Sequence, residues 1–155
     1  MKKELEVFLR KFGVSKVGVA DPDHGFEMSR EGCHPRDVMK NCNSVIVFAF
    51  PVGLDYYTTL DYSQKEDVES RVLNIYGDWV SYQLANFLKD KGYEAVVPHG
   101  FRNEKEKIAR LSFKLAAYES ELGVFGRPSI LITPEYGPRV NLRVVLTDAS
   151  TQPNK

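Results

Sequence analysis

A single mixed α/β (α+β) domain, with a central mixed sheet covered by helices, is the fold this sequence predicts, on three observations. Run 44–50 is a nearly continuous apolar segment of strand length, and run 140–146 alternates before ending in apolar residues. Stretches of helical period at 2–12, 63–91 and 104–121 alternate with the strand-like runs. The length, 155 residues, suits one domain with one core. The last two strand-like runs, 129–133 and 140–146, are separated by a short turn and are expected to pair as a hairpin. That makes the sheet mixed rather than purely parallel. The domain is expected to span residues 1–149, with 150–155 as a polar tail.

Residues 2–12 place Leu5, Phe8, Leu9 and Phe12 on one helical face, and Gly13 stops the helix. Residues 16–20 read as a short strand, and Asp21-Pro22-Asp23 breaks regular structure. Residues 21–36 form a long polar loop, a length that points to function in a small domain. The nearly continuous apolar run 44–50, ended by Pro51, predicts a central strand buried on both faces. Loop 52–62 carries Tyr56, Tyr57 and Tyr62. Ser63 and Glu66 have the spacing of a capping box. The helix they open runs to about residue 91, with Gly92 as its stop. Val68, Val72, Ile75, Trp79, Tyr82 and Leu84 mark its buried side, and Trp79 and Tyr82 read as core residues.

A strand over 94–97 ends at Pro98. The next helix covers 104–121, with Ile108, Leu111, Leu115 and Tyr118 as its apolar face. Glu119 and Glu121 oppose its dipole and read as surface groups that favour solubility. Residues 122–128 form a turn, 129–133 a strand, 134–138 a second turn, and 140–146 a partly exposed strand.

Composition excludes several classes. Basic and acidic residues balance, 21 against 21, so no nucleic-acid duplex is an expected partner. No apolar run approaches the roughly 20 residues of a membrane span. The N-terminus has no apolar leader segment, so a cytoplasmic location is expected. The two cysteines, Cys33 and Cys42, are expected as thiols in a reducing compartment. A standard iron–sulfur cluster needs about four thiolates, so none is expected within this chain.

Candidate chemistry is sparse. Gly123 and Gly126 bracket a turn with Arg127 directly after. Such glycines let backbone approach a ligand, and arginine offers five donors; a helix cap with a surface arginine fits the same spacing. Tyr56, Tyr57 and Tyr62 either line a pocket and donate a proton, or pack their loop on the sheet. Lys114, one turn after Arg110, either attracts anionic groups of a cofactor or belongs to a solvated face. His34 either sits near a ligand or faces solvent. His24, Cys33, His34 and Cys42 are metal-ligating types, but their spacing fits no compact motif, so no metal site is expected.

One continuous block carries a resemblance: Ser112-Phe113-Lys114-Leu115-Ala116-Ala117, Leu122-Gly123-Val124-Phe125-Gly126-Arg127, Leu131-Ile132-Thr133-Pro134-Glu135-Tyr136-Gly137-Pro138-Arg139-Val140 and Val145-Leu146-Thr147-Asp148-Ala149. It resembles the cobalamin-binding domain of epoxyqueuosine reductases and their relatives, the reductive dehalogenases. The resemblance implies a nitroreductase-like fold that binds a corrinoid. Loops 21–36, 52–62 and 122–127 would line the cleft. His34, Lys114, Gly123, Phe125, Gly126, Arg127 and Tyr136 would contact the cofactor, and Tyr56 or Tyr57 would supply a proton. Relatives continue into a ferredoxin-like module with two four-iron clusters. This chain reaches Lys155 where that module is expected to begin. Electrons would therefore come from a separate ferredoxin-like or flavoprotein donor.

Phe113 replaces a frequent family histidine, and Val124 and Arg127 replace the usual tryptophan and lysine of the turn. The family's proton-donating aspartate falls near Lys107. These departures weigh against epoxyqueuosine reduction more than against corrinoid binding. They keep open a non-catalytic corrinoid carrier or regulatory subunit. They also keep open a flavin (FMN) reductase, whose site would lie at a homodimer interface.

Overall fold

The computed structural model describes residues 1–52, 62–98, 111–127 and 129–154, except for the side chains of 62–70. The element order is α1 (Lys2–Arg10), β1 (Lys16–Ala20), α2 (Pro35–Val38), β2 (Ser44–Pro51), α3 (Tyr62–Asp90), β3 (Ala95–Val96), α4 (Phe113–Glu119), β4 (Val124–Phe125), β5 (Leu131–Ile132) and β6 (Val140–Thr147).

The α+β architecture, a sheet covered by helices, is as expected. The sheet has the order β1-β2-β6-β3, and each of its pairings is antiparallel, so it is an antiparallel sheet rather than the mixed one expected. The expected hairpin between 129–133 and 140–146 is replaced by another arrangement. β6 runs along the whole of β2, from Ser44 opposite Thr147 to Pro51 opposite Val140. β5 instead pairs with β4 in a separate two-stranded sheet. The physical reason is length. β2 is buried from Ser44 to Phe50 and needs a long neighbour to satisfy its backbone, which the eight-residue β6 provides. The turn at 134–138 closes on itself through a bridge between Thr133 and Gly137.

Alternation along β2 divides the interior into two cores. Val45 and Val47 join Ala20, Val144, Leu146, Ala116, Ala117, Leu122 and Leu131 on one side. Ile46, Phe48 and Phe50 join Leu5, Leu9, Val80, Leu84, Leu88 and Val145 on the other. Helices α1 and α3 therefore cover one face of the sheet, and α4 with the β4–β5 hairpin covers the other. Two covered faces explain why the strand reads as a continuous apolar run.

The buried side of α3 differs from the sequence expectation. Leu84 is buried as expected, but Val72, Ile75, Trp79 and Tyr82 are on the surface, so neither Trp79 nor Tyr82 is a core residue. Gly77, Val80, Ser81, Leu84 and Leu88 face the sheet instead. Arg143 of β6 accounts for this choice. Its guanidinium lies against Gly77, where any Cβ would collide with it. It donates to the Asn74 carbonyl and side-chain oxygens at 3.1 and 3.0 Å and faces Asp78 at 3.6 Å. Burial lowers the pKa of this guanidinium, against the opposing pull of Asp78. A polar group rising from the sheet demands a small residue above it, so the face with glycine packs inward. Gly92, at φ +89°, ends the helix as expected, with the Tyr93 amide donating back to the Leu88 carbonyl at 3.1 Å. The Ser63–Glu66 side chains and Val68 lie outside the described residues.

The fourth helix begins later than its periodicity suggests. Ser112 caps it, its Oγ accepting from the Leu115 amide at 3.2 Å. Residues 99–110, with Ile108 and Arg110, lie outside the described residues. Ala116, Ala117 and Glu119 are buried rather than Tyr118. Residues near the C-terminus dock on the sheet. The Asn154 side chain accepts from the Val19 amide at 2.9 Å, and the Asn154 amide donates to the Val19 carbonyl at 2.9 Å, so the edge of β1 is covered there. No described helix is long and apolar enough to cross a membrane.

Candidate cofactor site

Helix α4 delivers the chain to the hairpin through Glu121, which adopts φ +59° and turns the backbone out of the helix. β4 and β5 then pair Val124 with Ile132 and Phe125 with Leu131. The Gly126 amide donates to the Ile130 carbonyl at 2.8 Å, and the Ser129 amide to the Gly126 carbonyl at 3.1 Å. Segment 122–127 is therefore part of a hairpin rather than only a turn.

The glycines have a local reason. A Cβ at Gly123 would stand 2.6 Å from the Ile132 carbonyl oxygen, and one at Gly126 would stand 2.5 Å from Ile132 Cδ1. The close approach of the two strands requires Gly123, which meets backbone, whereas at Gly126 the Ile132 side chain could turn aside.

Outward from the hairpin lie Val124, Phe125, Ile130 and Ile132, all exposed, with the Phe125 ring 5.3 Å from that of Tyr118. Tyr118, Glu121, Gly123, Val124, Ile132, Thr133 and Pro134 line a cavity of about 460 Å³. Thr133 holds the far wall: its hydroxyl donates to the Gly137 carbonyl and accepts from the Tyr136 amide, each at 3.2 Å. Lys16 pairs with Glu135 at 2.8 Å and holds that carboxyl below its ordinary pKa.

Of the expected contact residues, Gly123, Phe125 and Gly126 meet in this hairpin. Lys114 joins them from α4, donating to the Ser129 carbonyl at 3.3 Å. Arg127 is exposed in the hairpin connection, and Tyr136 is half-buried in the adjoining turn. His34 is not part of the cavity wall. Its Nδ1 caps α2, accepting from the Arg36 amide at 3.1 Å, while Asp37 accepts from the His34 amide. Tyr56 and Tyr57 lie outside the described residues.

The cysteine–histidine set does not assemble. Cys42 is a core residue whose thiol donates to the Ser44 carbonyl at 3.5 Å, and burial pushes it up to about 11. No three metal-ligating side chains converge among the described residues.

Sequence reading missed Tyr118, Val124, Ile132 and Thr133 as wall residues. It also misread Glu119, which is buried. The Glu119 carboxylate sits under Gly25 and lies 3.6 Å from His24 Nδ1. Gly25 adopts φ +82° and leaves no room for a Cβ beside that carboxylate. A glycine within the 21–36 loop was the available signal.

Family models and curated proteins return no match to this chain. Solved structures do. The epoxyqueuosine reductase of Streptococcus thermophilus superposes with a TM-score of 0.60 at 16% identity, covering 100% of this chain and 48% of that one. The Bacillus subtilis epoxyqueuosine reductase, with its catalytic loop swung out of the active site, gives 0.62 at 21%, covering 98% and 46%. An epoxyqueuosine reductase with an epoxyqueuosine-modified tyrosine tRNA stem loop gives 0.62 at 20%, again covering 98% and 46%. The chain thus has a fold similar to part of these reductases and spans about half the length of each.

Proposed function

We propose that this chain is a corrinoid-binding domain that serves reductive chemistry, with electrons from a separate ferredoxin-like or flavoprotein donor. The observation that carries the reading is the apolar wall of Tyr118, Val124 and Ile132 around a cavity of about 460 Å³. It stands in a chain whose whole length follows the fold of epoxyqueuosine reductases. A corrin is broad, flat and largely apolar, with amide arms at its edge, and sites for such ligands are apolar with a few polar groups.

The residues fit that description. Val124 and Ile132 would hold the flat face, with Phe125 at its margin against Tyr118, while Glu121 and Thr133 meet the polar edge. Lys114 and Arg127 would offer donors to the neutral amide arms and positive charge to a phosphate of the cofactor. Bound there, the corrinoid supplies the redox chemistry, and the protein supplies orientation and exclusion of water. Tyr56 or Tyr57 would provide the proton.

A specific observation favours a second reading, a corrinoid carrier without reductase activity. Phe113, which stands where relatives often have histidine, is half-buried and packs against the core at the start of α4. It offers no polar group to a substrate.

Absorbance titration with hydroxocobalamin and cob(II)alamin tests the binding. A saturable spectral shift is expected, and no shift with either form removes the reading. Reduction of the bound corrinoid by a donor protein, followed by reoxidation on adding substrate, selects the reductase; a bound corrinoid that is never reduced selects the carrier. Flavin absorbance in the purified protein would instead indicate an FMN site.

A further inference from the structure

Helix α3 has two apolar faces. One packs on the sheet through Val80, Leu84 and Leu88. On the opposite side Val72, Ile75, Trp79 and Tyr82 are 51, 72, 48 and 59% exposed. A helix on the surface of a globular domain normally carries polar residues there. With Val68, the five positions are spaced alternately four and three residues apart. That is the seam spacing with which one helix packs along another.

We propose that this stripe is the interface of a twofold homodimer in which the α3 helices of two copies cross antiparallel. Three observations select a second copy. The first is self-complementarity, because the spacing 72–75–79–82 reads the same in both directions. A twofold axis near its centre sets Val72 against the partner's Tyr82 and Ile75 against the partner's Trp79, as an isologous interface requires. The second is area. A large aromatic side chain has about 150–250 Å² to bury. At the exposures above, the stripe with Tyr76 then offers on the order of 500 Å² per copy. Two copies reach the roughly 1,000 Å² that marks a specific interface. The third is charge. The chain's formal net charge is zero, so two copies do not repel at long range.

The stripe lies on the opposite side of the sheet from the β4–β5 hairpin. The dimer therefore leaves the cofactor site open and does not depend on the corrinoid reading.

Trp79 is the chain's single tryptophan, so its fluorescence reports on the seam. Sedimentation equilibrium and emission spectra are recorded together from low micromolar up to roughly 100 µM, the affinity range suited to an interface of this size. Mass should double with concentration while the Trp79 emission moves to shorter wavelength. Ile75→Glu and Tyr82→Lys, both at exposed positions, should each stay monomeric with unchanged far-ultraviolet circular dichroism. A monomer at every concentration overturns the proposal and assigns the stripe to a different polypeptide. A dimer whose Trp79 emission stays fixed overturns it too. So does a dimer that survives whichever of the two substitutions keeps the wild-type dichroism.

Discussion

Gly123 and Ile132 are pressed together: a Cβ on the first would stand 2.6 Å from the carbonyl oxygen of the second. That carbonyl belongs to the backbone of β5 and cannot swing aside as a side chain does. The contact sets how closely β4 and β5 pair, and through them the shape of the apolar wall. Gly123→Ala should cost about 1–3 kcal/mol, the usual range for overpacking. It should also weaken corrinoid binding. Denaturant unfolding and absorbance titration measure the two effects, and a variant unchanged in both would show that the hairpin tolerates being opened.

Gly25 and Gly32 form a natural pair. Both adopt left-handed backbone, at φ +82° and +79°, but only Gly25 faces a side chain, the buried Glu119. Each substitution by alanine should cost about 1–2 kcal/mol from backbone strain. Gly25→Ala should cost more, since its methyl group must displace the carboxylate. Equal losses in unfolding midpoint would mean that Glu119 moves freely.

Cys42 predicts a pH dependence. Its thiol is raised from an ordinary 9.0 to about 11, chiefly by burial. The protonated thiol is favoured in the folded state, so the associated stability is fully present below pH 9 and is lost as pH rises towards 11. Stability of the wild type should fall across that window more steeply than that of Cys42→Ala. Thiol reagents at neutral pH should reach Cys42 at a rate limited by opening of the core. Parallel slopes for the two proteins would contradict the buried thiol.

Much of the fold was legible because burial on both faces leaves a plain trace. The uninterrupted apolar run of β2 located the centre of the sheet, and Gly13 and Gly92 located two helix ends. The inward face of α3 was not legible, because two stripes have helical period and the outer one has the larger side chains. Nothing local to Gly77 announces Arg143, which lies far along the sequence on β6. β4 escaped notice because it has only two residues, whereas the strand expected over 129–133 is present as β5 but pairs with β4 instead of β6. At the candidate site, Gly123, Phe125 and Gly126 were legible as neighbours in one segment, but the hairpin that holds them was read as a turn, and the Ile132 carbonyl explains Gly123 without a ligand. His34 was singled out by residue type and by the resemblance, and its ring is engaged in capping α2.

The central claim is that the apolar hairpin wall binds a corrinoid, and Val124 tests it most directly. Its side chain is exposed on the cavity wall and outside both cores, so Val124→Glu should fold normally while placing a charge against the apolar face of the ligand. The decisive measurement is a hydroxocobalamin absorbance titration of wild type and Val124→Glu side by side, with circular dichroism as the control for folding. Saturable binding by the wild type, weakened about tenfold or more in the variant, is the predicted result; a tenfold change corresponds to about 1.4 kcal/mol. Equal affinities would place the corrinoid elsewhere, and no binding by the wild type would contradict the account.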